Sequence, residues 1–290
     1  SSKYESVKNL YKPGHANYTY LKKYGIFDHN GGGRASARET ACRVAAAAVA
    51  QKILDKYNIR ILSYIKSISD ISINLDCDNI NDQNLNDFDT VINNSVLFCP
   101  DPNAQILMQD KITTAKEQGD SLGGVIEFVI HGLPIGLGDP VYEKLEANLA
   151  KAMLSIPASK GFEIGEGFAA SRMSGSEHND EFIPLSEPPS EPRPLGSVED
   201  IKLSSNHAGG TLGGISNGMD VIARVAFKPT SSIKKPQNTV DIDGKPQQFI
   251  LPEGSRHDPC VAIRAVPVVK AMAALVIADL ILMNKVVSYE

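Results

Sequence analysis

The chain lacks most of the features that would assign it at a glance. Its four cysteines, Cys42, Cys77, Cys99 and Cys260, include no C-x-x-C pair, and none stands near a histidine at zinc-finger spacing. That excludes a zinc-finger scaffold. We expect free thiols in a reducing, cytoplasmic compartment. An excess of positive charge is also absent. The formal net charge is −5, which argues against a nucleic-acid partner. The longest apolar run near the C-terminus, residues 271–278, stops at Asp279 and is far short of a bilayer span, so no membrane association is expected. No signal peptide or internal repeat is visible. No glycine-rich loop ends in Gly-Lys-Ser/Thr, so there is no Walker A motif. No acidic cluster suits magnesium, and no metal is expected. The sequence also has no initiator Met, so we expect a segment removed from its start or missing there.

What remains is ordinary globular material. Of the 290 residues, 42% are hydrophobic and 22% charged, enough for one domain (1–290) with a sizeable core. Residues 36–57 read as a helix opened by a Ser36–Glu39 capping box. Its face Val44, Ala45, Ala48, Val49 and Leu54 is expected to be buried. Residues 59–73 alternate as one or two strands, and 76–95 are Asn/Asp-rich and suit a surface excursion. Further helices are expected over 103–118, over 142–154, and from a first-turn Pro267 to about Val287. Strands are expected over 124–134 and 219–229. Between them 174–200 reads as a long loop or flap, with its prolines concentrated in 183–200. No clean βαβ rhythm appears. The expected class is α/β of the α+β type, with antiparallel sheet packed on helices.

Several loops carry residues suited to chemistry. Gly31-Gly32-Gly33-Arg34-Ala35-Ser36, with Arg38 beyond it, combines close backbone approach, a helix start and forked donors. It reads as an anion site, or as a capped turn with solvated arginines. His15 follows Pro13-Gly14 on a stiff turn. It is either a surface residue or a general acid or base. The stretch 205–218 is dense in glycine and reads as a close approach to a ligand or as a mobile loop. Lys228-Pro229-Thr230-Ser231-Ser232 offers one cation and three hydroxyls, as a phosphate cradle or a common loop. Arg256, His257 and Asp258 form a salt bridge or a base with an anion clamp. Together the loops suggest a large pocket for a phosphorylated cofactor and an anionic substrate.

Seven segments, "YKPGHANYTY", "GGGRASARETACRVAAAAVA", "GDSLGG", "KGFEIGEGF", "SNHAGGTLGGISNG", "KPTSSI" and "RHDPCVAIRAVPVVKAM", resemble the signature segments of chorismate synthase, in the same order. The resemblance runs from about residue 8 to residue 285. It implies a lyase that converts 5-enolpyruvylshikimate 3-phosphate to chorismate and phosphate by 1,4-anti elimination, with reduced FMN and no net redox change. It implies a homotetramer whose subunits sandwich helices between antiparallel sheets, and NADPH as a candidate reductant. FMN contacts would fall on Arg34, Ala35, Ser36, Pro157, Ala158, Gly213, Lys228, Pro229, Thr230, Ser231, Ser232 and Arg256. His15 would protonate the flavin, Asp258 would act near the substrate's C6 proton, and Ser36 would join them in catalysis. Lys12, Arg38 and Arg256 would hold the substrate's anionic groups. The family also carries an N-terminal "G-E-S-H-G"-like segment with a further histidine, and none of the six histidines here lies in such a context. Residues 1–290 by themselves are therefore expected to show little activity. The alternative is a truncated scaffold that binds FMN without turnover.

Overall fold

The computed structural model describes residues 5, 7–73, 84–184, 201–255 and 258–287. Its helices are α1 (Asn17–Tyr24), α2 (Thr40–Leu54), α3 (Leu85–Asn94), α4 (Pro102–Glu117), α5 (Leu145–Leu154), α6 (Gly175–His178) and α7 (Ala262–Val287). The strands are β1 (Arg60–Ile68), β2 (Ile71–Ser72), β3 (Gly124–His131), β4 (Ser159–Ile164), β5 (Phe182–Pro184), β6 (Ile201–Leu203), β7 (Thr211–Leu212), β8 (Ile215–Ser216), β9 (Val221–Phe227), β10 (Gln237–Val240) and β11 (Pro246–Phe249). Five of them form one antiparallel sheet in the order β2-β1-β3-β9-β4, and the other six pair as two-stranded ribbons. This is the expected α+β mixture.

Strand β9 shows how the sequence builds the sheet. Val221, Ala223, Val225 and Phe227 are buried and alternate with partly exposed residues. They align with Ile130, Phe128, Ile126 and Gly124 of β3, so one apolar face runs across the strands. Helix α7 lies on that face, where Ser63 of β1 donates to the carbonyl of Val266 at 3.1 Å. Buried Val266, Val269, Ile277 and Ile281 make α7 the core helix. Each contributes roughly 1.5–3 kcal/mol. By length and composition α7 could also cross a bilayer, yet most of it is packed inside the protein. The opposite sheet face carries a buried acid. Glu127 accepts from Tyr64 at 2.8 Å and pairs with Lys66 at 3.1 Å and Arg224 at 3.5 Å. Burial of this carboxylate is tolerable because it is paired and hydrogen-bonded.

Several expectations need correction. Helix α7 begins at Ala262, so Pro267 lies inside it and not at its first turn. Its missing N–H leaves the Ile263 carbonyl without the usual partner. Residues 85–94 form α3, whose Phe88 packs edge-on against Tyr64 with ring centroids 6.3 Å apart. Of the polar excursion, residues 76–83 lie outside the described residues. On α2, Ala47, Ala50 and Leu54 are buried, while Val49 is 67% exposed. Alanines on that side let α2 pack along α7, and this packing chose a different face from the one expected. The capping box does not form as drawn. Ser36 Oγ accepts from Arg38 N, the Ser36 N–H donates to Gly33, and Glu39 pairs with Arg43. Of the flap, the described part holds α6 and β5, and 185–200 lie outside the described residues. Cys42, Cys99 and Cys260 are free thiols, and Cys77 lies outside the described residues.

Candidate functional site

Four loops meet at a cleft of about 800 Å³. The first is the turn ahead of α1. Buried Asn17 holds it by accepting from Lys12 N at 3.1 Å and donating to Leu10 O at 2.9 Å. Gly14 has φ +69, and a Cβ there would collide with the Ser231 side chain. His15 Nδ1 lies 2.9 Å from Pro13 O, and its Nε2 lies 3.0 Å from Ser232 Oγ.

The second loop is the glycine stretch. Gly32 has φ +80, a conformation that glycine adopts freely, and the chain then forms two short 3-10 turns before α2. Ser36 Oγ accepts from Arg38 Nε at 3.0 Å, which leaves the serine's own hydrogen to donate elsewhere. Arg38 also reaches the Gly31 carbonyl at 3.4 Å. Arg34 is exposed and makes no hydrogen bond or ion pair among the described residues.

The third loop joins α5 to β4. Ala158 is held at φ +72, a costly conformation for a residue with a Cβ, and its carbonyl accepts from Lys228 N at 3.0 Å. The fourth follows β9. There Lys228 Nζ bonds Ser231 Oγ, Ser231 bonds Gly14 O, and Ser121 holds the Thr230 carbonyl. Thr230 Oγ1 is buried with no hydrogen-bond partner among the described residues.

Among the described residues, five lysines and arginines line the cleft, Lys12, Arg34, Arg38, Arg43 and Lys228, against the carboxylate of Glu39. Burial depresses the Lys12 amine, with Asp28 opposing it weakly. Burial also depresses Lys228, and Lys160 adds to the effect. His15 is pushed below its ordinary value first by burial and then by Lys12 and Lys228, while the bond to Pro13 opposes them. A bound anion would relieve all three. A shallower hollow of about 460 Å³ beside α5 holds Glu146 and Glu163 and no cation, so it does not suit one.

The cleft therefore gathers Lys12, His15, Arg34, Ala35, Ser36, Arg38, Pro157, Ala158, Lys228, Thr230, Ser231 and Ser232. It does not gather every expected residue. The ring of Pro229 turns back toward Gly123. Gly213 sits at the turn of the β7–β8 hairpin, which the Leu145 N–H holds against the start of α5 through Gly214 O. Asp258 does not line the cleft and pairs with Arg264 at 2.6 Å. Arg256 lies outside the described residues.

Arg43 was missed. Its i+4 spacing from Glu39 was legible, but its bonds to Ser155 Oγ and O at 2.6 and 3.2 Å were not. Tyr20, Phe27, Phe249 and Leu251 add apolar wall that no local signal marked.

The chorismate synthase family profile matches residues 1–282. A chorismate synthase of Protochlamydia amoebophila is 55% identical over 287 residues, which span 98% of this chain and 74% of that protein. One from Methanosarcina mazei is 46% identical over 96% of this chain and 71% of its own length. A chorismate synthase crystal structure superposes with a TM-score of 0.69 at 33% identity, and the match covers 86% of this chain and 65% of the solved one. The loops that close the cationic cleft lie within the matched residues, and the chain belongs to the chorismate synthase family.

Proposed function

We propose that the protein converts 5-enolpyruvylshikimate 3-phosphate to chorismate and phosphate by 1,4-anti elimination with reduced FMN. Membership of the family makes it a lyase of the final shikimate step. The observation that carries the reading is the cleft, where among the described residues five lysines and arginines face one carboxylate that is already paired. The substrate has a phosphate and two carboxylates, and such a surplus both holds and captures a polyanion.

The residues present fit a flavin mononucleotide. The orphaned Thr230 Oγ1, beside Lys228, Ser231 and Ser232, provides a hydroxyl and a cation for a phosphate. Arg34, Ala35, Ser36, Pro157 and Ala158 supply the facing wall. Reduced flavin, when bound, supplies electron density transiently to the allylic system. The chain's own residues do the rest. Lys12, Arg38 and Arg43 hold the substrate's anionic groups, and their charge stabilises the departing phosphate. Ser36 has a hydrogen to donate to it. His15 holds a proton at a depressed pKa and gives it up readily. Asp258 serves as base once its pair with Arg264 opens. NADPH as reductant, a homotetrameric assembly and a cytoplasmic location complete the proposal. The three described free thiols are in keeping with a reducing compartment.

The second reading is a scaffold that binds FMN without turnover, and Asp258 outside the cleft lining favours it. One experiment separates the two. Residues 1–290 are mixed with reduced FMN and substrate under anaerobic conditions with a chelator, and chorismate and phosphate release are followed beside FMN binding. Release of both products supports the lyase. Binding without release supports the scaffold, and no binding defeats both.

A further inference from the structure

A cluster of ionisable groups that does not line the cleft lies where the end of α6 meets the loop after β6. Asp180 anchors it. Its Oδ1 accepts from Ser205 Oγ at 2.6 Å, from His207 N at 2.8 Å and from His207 Nδ1 at 3.0 Å. Its Oδ2 accepts from Ala208 N at 3.0 Å. The side chain is only 2% exposed. Burial pushes its pKa up, but the bonds from Ser205, Ala208 and His207 outweigh that and hold it below the ordinary value.

An ionised carboxylate only accepts, so the neutral His207 ring carries its hydrogen on Nδ1 and keeps a lone pair on Nε2. The loop is strapped a second time by Glu166 N, which donates to His207 O at 2.9 Å. Facing His207 is His178, the last residue of α6. The two ring centroids lie 6.0 Å apart, with 37° between the planes. Among the described residues neither His207 Nε2 nor the His178 ring has a hydrogen-bond partner.

We propose that His178 and His207 bind a divalent transition-metal ion between them, with Asp180 orienting His207 from behind and water completing the coordination. A metal–nitrogen bond of about 2.1 Å puts the ion about 3.2 Å from a ring centroid, so two rings that share one ion lie about 4.5–6.5 Å apart. The 6.0 Å between these rings falls in that interval. A ligating histidine commonly donates its other N–H to a carboxylate, which fixes the tautomer and makes the free nitrogen more basic. Asp180 does this for His207, while its own oxygens are committed to the fold. Among the described residues no group of three or more His, Cys, Asp or Glu side chains is placed to hold an ion, so the protein's share is the two imidazoles. That donor set suits copper, nickel or zinc, and not magnesium or calcium, which take oxygen ligands. A bound ion ties α6 to the loop that leads into β7. Neither histidine takes part in the elimination proposed above.

The test titrates the full chain with Cu2+, Zn2+ or Mg2+ alone, in a buffer free of chelator. One Cu2+ should bind in the micromolar range, Zn2+ more weakly and Mg2+ not at all. The EPR spectrum of the copper complex should show coupling to two imidazole nitrogens. His178→Ala and His207→Ala should each weaken Cu2+ binding about tenfold or more. Cu2+ should raise the melting temperature of the unaltered protein and not that of His178→Ala. A thermal melt without metal checks that each variant folds. If His207→Ala does not, His178→Ala decides alone, since its ring holds no hydrogen bond among the described residues. Absent Cu2+ binding, coupling to a single nitrogen, or an affinity unchanged in a folded variant overturns the proposal.

Discussion

Ser231 Oγ donates to the carbonyl of Gly14 at 3.0 Å and joins two loops that lie 217 residues apart in the chain. The contact leaves no room for a side chain at Gly14, which also has φ +69. Gly14→Ala should therefore destabilise the protein by about 2–4 kcal/mol, part from backbone strain and part from overpacking. Chemical denaturation measures it. Adding Ser231→Ala should return the overpacking share and not the strain. Equal stability of Gly14→Ala and the unaltered protein would contradict this geometry.

Thr230→Val tests the phosphate cradle. Thr230 Oγ1 is buried and has no partner among the described residues, so its loss removes no hydrogen bond among them. Stability should hold or rise by about 1 kcal/mol, while affinity for FMN falls about tenfold. A fluorescence titration reads the second effect. A variant that binds FMN as before would mean the hydroxyl serves no ligand.

Arg34→Ala addresses the unpaired cation. Arg34 is exposed and makes no bond among the described residues. Stability should change by less than about 0.5 kcal/mol. Affinity for FMN should drop about tenfold, with a weaker dependence on salt. Loss of stability without loss of affinity would assign Arg34 to the fold instead.

His15 also shapes the response to acid. Its folded-state pKa lies below the ordinary 6.5, so between the two values the unfolded chain binds more protons. Stability is then lost as pH falls from 6.5 to the folded value, and it is regained as pH rises. Urea unfolding at about pH 7.5 and about pH 5 should show a smaller acid loss in His15→Gln than in the unaltered protein. Bound anion raises the His15 pKa, so FMN binding near pH 6 should take up protons, which calorimetry in two buffers detects.

Much of the fold was legible from local pattern. The helix expected over 103–118 is α4, which Asp101 caps, and the strand expected over 219–229 is β9, whose burial alternates. These signals are local because capping and strand period involve neighbours a few residues apart. The start of α7 was misread because proline at a first turn is the common case, and only packing keeps Pro267 inside a longer helix. Helix α3 was hidden by its Asn/Asp content, which favours loops until Leu85 and Ile92 find a core.

The site divides in the same way. The sequence by itself determined the chemical kit: glycines where φ is positive, cations on loops, and His15 on a stiff turn. Tertiary structure alone decided which pieces meet. It set Ser232 against His15, tied Arg43 to Ser155, left Gly213 on a hairpin beside α5, and paired Asp258 with Arg264. The reason is physical. A side chain's type fixes what it can donate or accept. Its partner is chosen by the packed fold, through contacts such as His15–Ser232 and Arg43–Ser155 that close loops of more than a hundred residues, and no local period encodes those.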